Sequence, residues 1–154
     1  MKKRILAFVI LLTIMTLVSC GYIFGDVAEE GDVTVVVESA DGTYQVYKTY
    51  LETVENKKEG AKGVLEHLHG REDNSLALEM IDSTYGAYVS AIGSIAEGDN
   101  MYVICYTSSA ADSYEGAPTV KYDGMTLYQA GVGLSGMSVE SGSVILFRLE
   151  KSPY

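Results

Sequence analysis

Histidine pairs are a common source of metal ligation, and the chain contains two histidines, His67 and His69. Both fall in segment 60–70, whose apolar residues recur with helical spacing. Residues two apart on a helix project about 200° apart and do not face each other. A metal shared by the two rings would require the last helical turn to unwind. A metal site at these histidines, with Glu66 and Asp73 nearby, therefore stands as an alternative hypothesis.

Catalytic motifs of the common enzyme classes are missing from the sequence. Ser135 lies in GLSGM, but Met137 occupies the position where the G-x-S-x-G elbow has its second glycine. The phosphate-binding patterns GxxxxGK[ST] and GxGxxG do not occur. Because both histidines belong to one short helix, a Ser-His-acid triad is disfavoured. The acidic turn 97–100 lacks the spacing of a calcium loop. We expect a protein that is not an enzyme.

Cys20 stands at the end of an amino-terminal signal. Three basic residues at 2–4 precede the apolar run 5–18, which has the layout of a secretory signal and is too short to span a bilayer. Leu-Val-Ser-Cys at 17–20 resembles the bacterial lipobox, a signal that is cut before the cysteine, whose sulfur then carries diacylglycerol. We expect a lipoprotein signal peptide at 1–19, a lipidated tether at 20–31, and lipid anchoring at the extracytoplasmic side of the bacterial cell membrane.

The charge of the remaining chain limits its partners. The signal holds three of the 11 basic residues and no acid, which leaves 8 basic against 21 acidic residues and a net charge of −13. Such a balance disfavours nucleic acid, which requires basic contacts to phosphates. With Cys20 lipidated, Cys105 has no cysteine partner. Its position in the alternating run MYVICYT predicts a buried structural thiol.

Alternating segments and turn residues predict most of the strands. Asp-Gly pairs at 41–42 and 123–124 each separate two strand-like segments, because both residues tolerate the positive φ of hairpin turns. Further strands are predicted within 75–82, 83–95, 101–108 and 143–150, with loops at 108–118 and 131–142.

A single helix is predicted over 60–70. Its apolar stripe has the spacing i, i+3, i+4 and i+7, and Gly70 is a plausible stop. The helix is short, so it must dock on a sheet to be stable. The element order indicates an α+β fold, with one helix packed across a mixed sheet and an extra hairpin insertion near 108–130.

The segment TYGAYVSAIGSI combines tyrosines with small, uncharged residues. Simple alternation places Tyr85, Ala87, Val89 and Ala91 on one face, and Gly86, Tyr88, Ser90 and Ile92 on the other. Small residues permit close approach by a backbone or a flat ligand, and tyrosines supply apolar area with a polar tip. The alternative is a central strand packed on both faces.

Taken in order, several segments resemble the bacterial lipoproteins with a transcobalamin-like C-terminal domain. The segments are the strand 33–37, the helical segment GVLEHL at 63–68, YGAYVSAI at 85–92, MYVI at 101–104, and GVG at 131–133 followed by VESGSVI at 139–145. The resemblance covers about residues 32–150. It implies a β-grasp-like domain over 32–152, and it suggests a corrinoid such as cobalamin as the candidate ligand. Met101 stands where the family's aromatic strand usually has Trp.

These observations give one leading functional prediction and two alternatives. The leading one is a membrane-anchored extracellular binding module for a small molecule. Its predicted ligand-contacting residues are Tyr85, Gly86, Tyr88, Tyr102, Leu134, Ser135 and Met137. The first alternative is a protein-interaction or adhesion module that docks a surface protein through its sheet edges or tyrosines. The second is a metal-binding lipoprotein that uses His67 and His69.

Overall fold

A computed structural model describes residues 30–151. Cys20, the signal at 1–19 and most of the tether at 20–31 lie outside this range. The described chain forms nine β-strands and one α-helix: β1 (Val33–Glu38), β2 (Tyr44–Thr49), α1 (Gly60–His69), β3 (Leu78–Ser83), β4 (Gly86–Ile92), β5 (Ile95–Ala96), β6 (Met101–Thr107), β7 (Thr119–Tyr122), β8 (Met125–Gln129) and β9 (Val144–Lys151). None of the helices within 30–151 is long and apolar enough to cross a membrane.

The main sheet has six strands in the order β2-β1-β9-β6-β8-β7. Only the β1–β9 pair is parallel, and the other four pairs are antiparallel. The fold is therefore α+β with a mixed sheet and a single described helix, as predicted. The predicted hairpin insertion is β7–β8, and it extends this sheet at one edge. Both predicted Asp-Gly pairs lie in hairpin turns of the main sheet, one between β1 and β2 and the other between β7 and β8. The angle φ is positive at Gly42, Asp123 and Gly124.

The main sheet curls so strongly that its two edge strands meet. The rings of Tyr44 in β2 and Tyr122 in β7 pack edge to face with centroids 5.2 Å apart. Leu127 of β8 is fully buried in one cluster with Val36 of β1. We call this inner surface the concave face. Val36 is enclosed there, while Val33, Val35 and Val37 are enclosed on the opposite side, so both faces of β1 are buried.

Helix α1 covers the opposite side, which we call the helix-covered face. Its predicted stripe Ala61, Val64, Leu65 and Leu68 is completely buried. Burial of this stripe against the sheet stabilises a helix that is too short to persist alone. The helix ends before Gly70, whose N–H donates to Glu66 O at 2.9 Å.

Strands β3, β4 and β5 form a separate three-stranded sheet. Ser90 has no partner in the β3–β4 register, because Glu79 pairs with Ala91 and Met80 pairs with Val89. A bulge of this kind adds one residue and changes which residues share a face. The prediction of simple alternation is therefore wrong beyond Ser90: Ile92 is buried, as Ala87 and Val89 are, whereas Ala91 is partly exposed. Strand β4 is not packed on both faces either, since Tyr88 is 42% exposed.

Candidate functional site

A cleft of about 200 Å³ lies where β4 of the small sheet approaches β6 and β8 of the main sheet. Its walls are mostly apolar, and Tyr88 and Leu134 are the two predicted ligand-contacting residues among them. The full lining consists of Ala87, Tyr88, Val89, Val103, Ile104, Cys105, Gln129, Ala130, Val132, Gly133, Leu134 and Phe147. We call it the interface cleft. An apolar cavity with a few polar groups at its rim is the usual form of a small-molecule site.

Gly133, which lines the interface cleft, lies close to the backbone of Tyr85 and Gly86. An added Cβ at Gly133 would lie 2.6 Å from Tyr85 O and 3.0 Å from Gly86 Cα. Gly86 also has φ of +102°, a conformation that L side chains rarely adopt. The expectation that small residues here permit close backbone approach is thus confirmed. The neighbour that approaches Gly86 is the chain's own loop 131–142.

The buried carboxylate of Asp112 fixes that loop. It accepts hydrogen bonds from Ser138 N at 2.8 Å and from Ser138 Oγ at 3.2 Å. The Asp112 carbonyl accepts a third bond from Gly131 N at 2.8 Å. Asp112 is only 5% exposed, so these bonds replace water around a buried charge. Nothing in the sequence of the 108–118 loop identified this residue as an anchor.

Cys105 lines the interface cleft as a protonated thiol. Desolvation raises its pKa to about 12, so it is neither a thiolate nucleophile nor a thiolate ligand at neutral pH. Its Sγ lies 3.9 Å from Met137 Sδ, and Met137 is buried. The prediction of a structural thiol is consistent with this environment. Met137 thus packs against a residue of the cleft wall but is not itself among the lining residues.

The remaining predicted ligand-contacting residues lie apart from the interface cleft. Tyr85 is 92% exposed at the tip of the β3–β4 hairpin, and Ser135 is exposed in a 3-10 turn. Tyr102 shares its face of β6 with Tyr106, which packs in the concave cluster, because residues four apart on a strand project to the same side. The structure therefore does not bring Tyr102 together with Tyr85 and Tyr88.

The two histidines lie in different grooves. His69 donates from Nδ1 to Leu76 O at 2.8 Å, which fixes its ring toward the start of β3. His67 lines a separate groove of about 380 Å³ with Glu55, Glu66 and Arg71 among its walls. Within residues 30–151, no group of three His, Cys, Asp or Glu side chains is placed to hold a metal ion.

No protein-family model and no curated protein matches the sequence. A solved structure from Ruminococcus gnavus ATCC 29149, named "putative metal binding protein", resembles the chain with a TM-score of 0.52 and 16% sequence identity. The alignment covers 80% of this chain and 99% of that one. At this identity the likeness establishes a shared fold.

Sequence reasoning missed the part of the interface cleft that comes from the main sheet. Val103, Cys105 and Phe147 are ordinary apolar residues of alternating strands, and their spacing carries no sign of a ligand. They meet because β6 pairs with β9 in a register that places Cys105 opposite Phe147. Such long-range pairing cannot be read from local pattern.

Proposed function

We propose that this chain is a lipid-anchored, extracytoplasmic lipoprotein whose domain binds a small molecule at the interface cleft. The observation that carries the proposal is the cleft itself, an apolar cavity whose lining includes the partly exposed residue Tyr88. The lipobox-like sequence that ends at Cys20 supports the anchoring. Cys105 in the wall is protonated, which fits binding rather than covalent chemistry.

The size of the interface cleft restricts the way a ligand is held. Sites that enclose a drug-sized ligand are about 300–1,000 Å³, whereas this cleft is about 200 Å³. A ligand as large as a corrinoid would place one edge or substituent in the cleft and leave its remainder outside. The domain would then cover one side of the ligand, as the related domain does in transcobalamins.

The first experiment is calorimetric titration of the full-length lipoprotein, in detergent, with cobinamide and cobalamin. We expect saturable binding that the Tyr88→Ala variant weakens by about tenfold, because an aromatic contact of about 1.4 kcal/mol is lost. Tyr50→Ala is the matched control, since Tyr50 is similarly exposed (44% against 42%) and does not line the cleft. Equal weakening in both variants would contradict the site.

Further binding measurements on the same full-length protein distinguish this function from the two alternatives. Metal binding is supported by the name of the Ruminococcus gnavus protein. Zinc uptake in equilibrium dialysis that His67→Ala abolishes, together with flat corrinoid titrations, would replace our proposal by the metal-binding one. Flat titrations with both corrinoids and zinc would leave a surface-protein partner as the function to pursue. In each case the far-ultraviolet circular dichroism of the variant must match that of the parent protein.

A further inference from the structure

The groove that His67 lines is a second cavity, separate from the interface cleft. Its volume is about 380 Å³, which falls within the range of roughly 300–1,000 Å³ that is usual for ligand sites. Apart from two glycines, every residue that lines it is polar, whereas the lining of the interface cleft is mostly apolar. We call it the polar groove, and its lining consists of Glu55, Asn56, Gly63, Glu66, His67, Gly70 and Arg71.

Close backbone packing fixes the two sides of the polar groove relative to each other. One side is helix α1, and the other is the segment 55–56 that precedes the helix. An added Cβ at Gly63 would overlap Asn56 O, so this segment can approach the helix only because residue 63 has no side chain. Asn56 O also accepts a hydrogen bond from Glu59 N at 2.8 Å. The groove is therefore built by the backbone of the fold.

A guanidinium belongs to the lining of the polar groove. Arg71 Nη2 donates to Lys48 O at 2.5 Å, which anchors this partly buried side chain to β2. A guanidinium has five N–H donors in a planar fork, and this bond uses one of them. The fork matches the geometry of a carboxylate, which it can bind through two parallel hydrogen bonds. An anchored guanidinium of this kind is suited to orient a ligand carboxylate.

Two carboxylates belong to the same lining. Glu66 Oε1 lies 3.8 Å from Lys62 Nζ, a cation that is also 3.5 Å from Glu59 Oε2. The exposed Glu55 carboxylate takes part in no hydrogen bond or ion pair with the part of the chain that the structure describes. With Arg71, the lining therefore holds two negative charges and one positive charge. The complementary ligand carries two positive groups and one negative group.

We propose that the polar groove binds a basic α-amino acid with a short side chain, whose carboxylate contacts Arg71 and whose two ammonium groups contact Glu55 and Glu66. Each charged group of the lining then meets an opposite charge. The imidazole of His67 supplies a further hydrogen-bonding group. The side chain of the ligand is short because no apolar residue lines the groove to cover a long methylene chain. This site goes beyond the function proposed for the interface cleft and does not depend on it.

Calorimetric titration of the full-length protein with L-ornithine, in detergent and about 0.15 M sodium chloride, tests the proposal. We expect saturable binding at one site. Two analogues each lack one charged group: putrescine has no carboxylate, and L-norvaline has no side-chain ammonium. Putrescine should bind at least tenfold more weakly, because it cannot accept hydrogen bonds from Arg71. Norvaline should bind about fivefold more weakly, because the carboxylates lose a cation at a site that solvent reaches.

The analogues test Arg71 without a substitution that would also break its bond to β2. The carboxylates are tested by Glu55→Gln, which should weaken ornithine binding about fivefold. Glu52→Gln is the matched control, since Glu52 is exposed, lies in the same connection and does not line the groove. This control should bind ornithine within about twofold of the parent protein, because salt screens charges outside the site.

Three results would overturn the proposal. The first is absence of saturable ornithine binding by the parent protein. The second is putrescine binding as tight as ornithine binding, which would show that the groove attracts any organic cation. The third is equal weakening in Glu55→Gln and Glu52→Gln, which would indicate general attraction to an acidic protein. If Glu55→Gln fails to fold, the analogue series on the parent protein decides alone. Tyr88→Ala should leave ornithine binding intact even if corrinoid binding at the interface cleft fails.

Discussion

The two faces of the main sheet differ in how completely they are covered. On the helix-covered face, α1 and the small sheet bury a continuous apolar cluster that includes Val35, Leu65 and Phe147. On the concave face, curling alone supplies the cover, and the apolar cluster around Val36 gives way to a partly exposed row that contains Arg148. A separate layer thus closes one face, while the curled face keeps a polar end that solvent reaches.

Alternation along single strands produces this division. In β9, Ile145 and Phe147 project toward the helix-covered face, while Leu146 and Arg148 project toward the concave face. Each strand therefore contributes to both surfaces, and a substitution can be directed at one face without touching the other. The predictions below use that property.

The largest expected effect is loss of core packing on the helix-covered face. Leu65→Ala should lower the free energy of unfolding by about 2–5 kcal/mol, because it removes buried methyl groups and leaves a cavity under α1. Val46→Ala, at a site in β2 that is 37% exposed, should cost about 0.5 kcal/mol or less. Urea unfolding of both variants measures the difference. Equal costs would show that the two faces are not covered as described.

A smaller effect is expected where the two sheets meet. Gly133→Ala should cost about 1–3 kcal/mol, because its new Cβ would press on Tyr85 O and Gly86 Cα, and the β3–β4 hairpin would have to move. Such movement should also lower the affinity of the interface cleft for any ligand that it binds. Gly136→Ala is the control, since its Cβ would meet only Val132 Cβ, at 3.8 Å.

A matching loss of stability in Gly136→Ala would contradict this account of Gly133. It would indicate that any side chain added to the 131–142 loop is destabilising, whatever the contact with the hairpin. Urea unfolding of the two variants, with corrinoid titration of each, separates the two explanations.

Local features of the fold could be predicted from the sequence, whereas contacts between strands that are distant in the sequence could not. The apolar stripe of α1 and the two Asp-Gly hairpin turns depend only on residues that are close together in the sequence. The structure confirms both features. The contact between Tyr44 and Tyr122 joins residues at opposite ends of the strand order, and no local pattern encodes it.

The candidate site was only partly predictable for the same reason. Tyr88 and Leu134 come together at the interface cleft, but Tyr102 was grouped with them although it lies on the other side of the main sheet. Alternation alone shows that Tyr102 and Val103 have opposite directions. Which of them meets β4 depends on the sheet order and on where α1 docks, and these are long-range properties.

The smallest effect that we expect concerns Tyr106, a buried residue of the concave face whose hydroxyl donates to Glu150 Oε1 at 2.7 Å. Burial, followed by the hydrogen bond to Glu150, raises the pKa of Tyr106 well above its ordinary value of 10.0. A phenol whose pKa is raised in the folded state binds its proton more tightly there than in the unfolded chain. Its contribution to stability is therefore fully present below about pH 10 and is lost as pH rises from that value toward the folded-state pKa.

Tyr106→Phe should remove this alkaline loss and cost about 1 kcal/mol at pH 7, where one hydrogen bond to a partly exposed carboxylate disappears. Urea unfolding at pH 7, 9 and 11 measures both quantities. Tyr114→Phe is the control, because Tyr114 is 48% exposed and its hydroxyl donates to Gln129 Oε1 rather than to a carboxylate. If the parent protein and Tyr106→Phe lose stability equally between pH 9 and 11, Tyr106 does not support the concave face through its proton. The ion pair with Arg148 would then be what holds Glu150 in position.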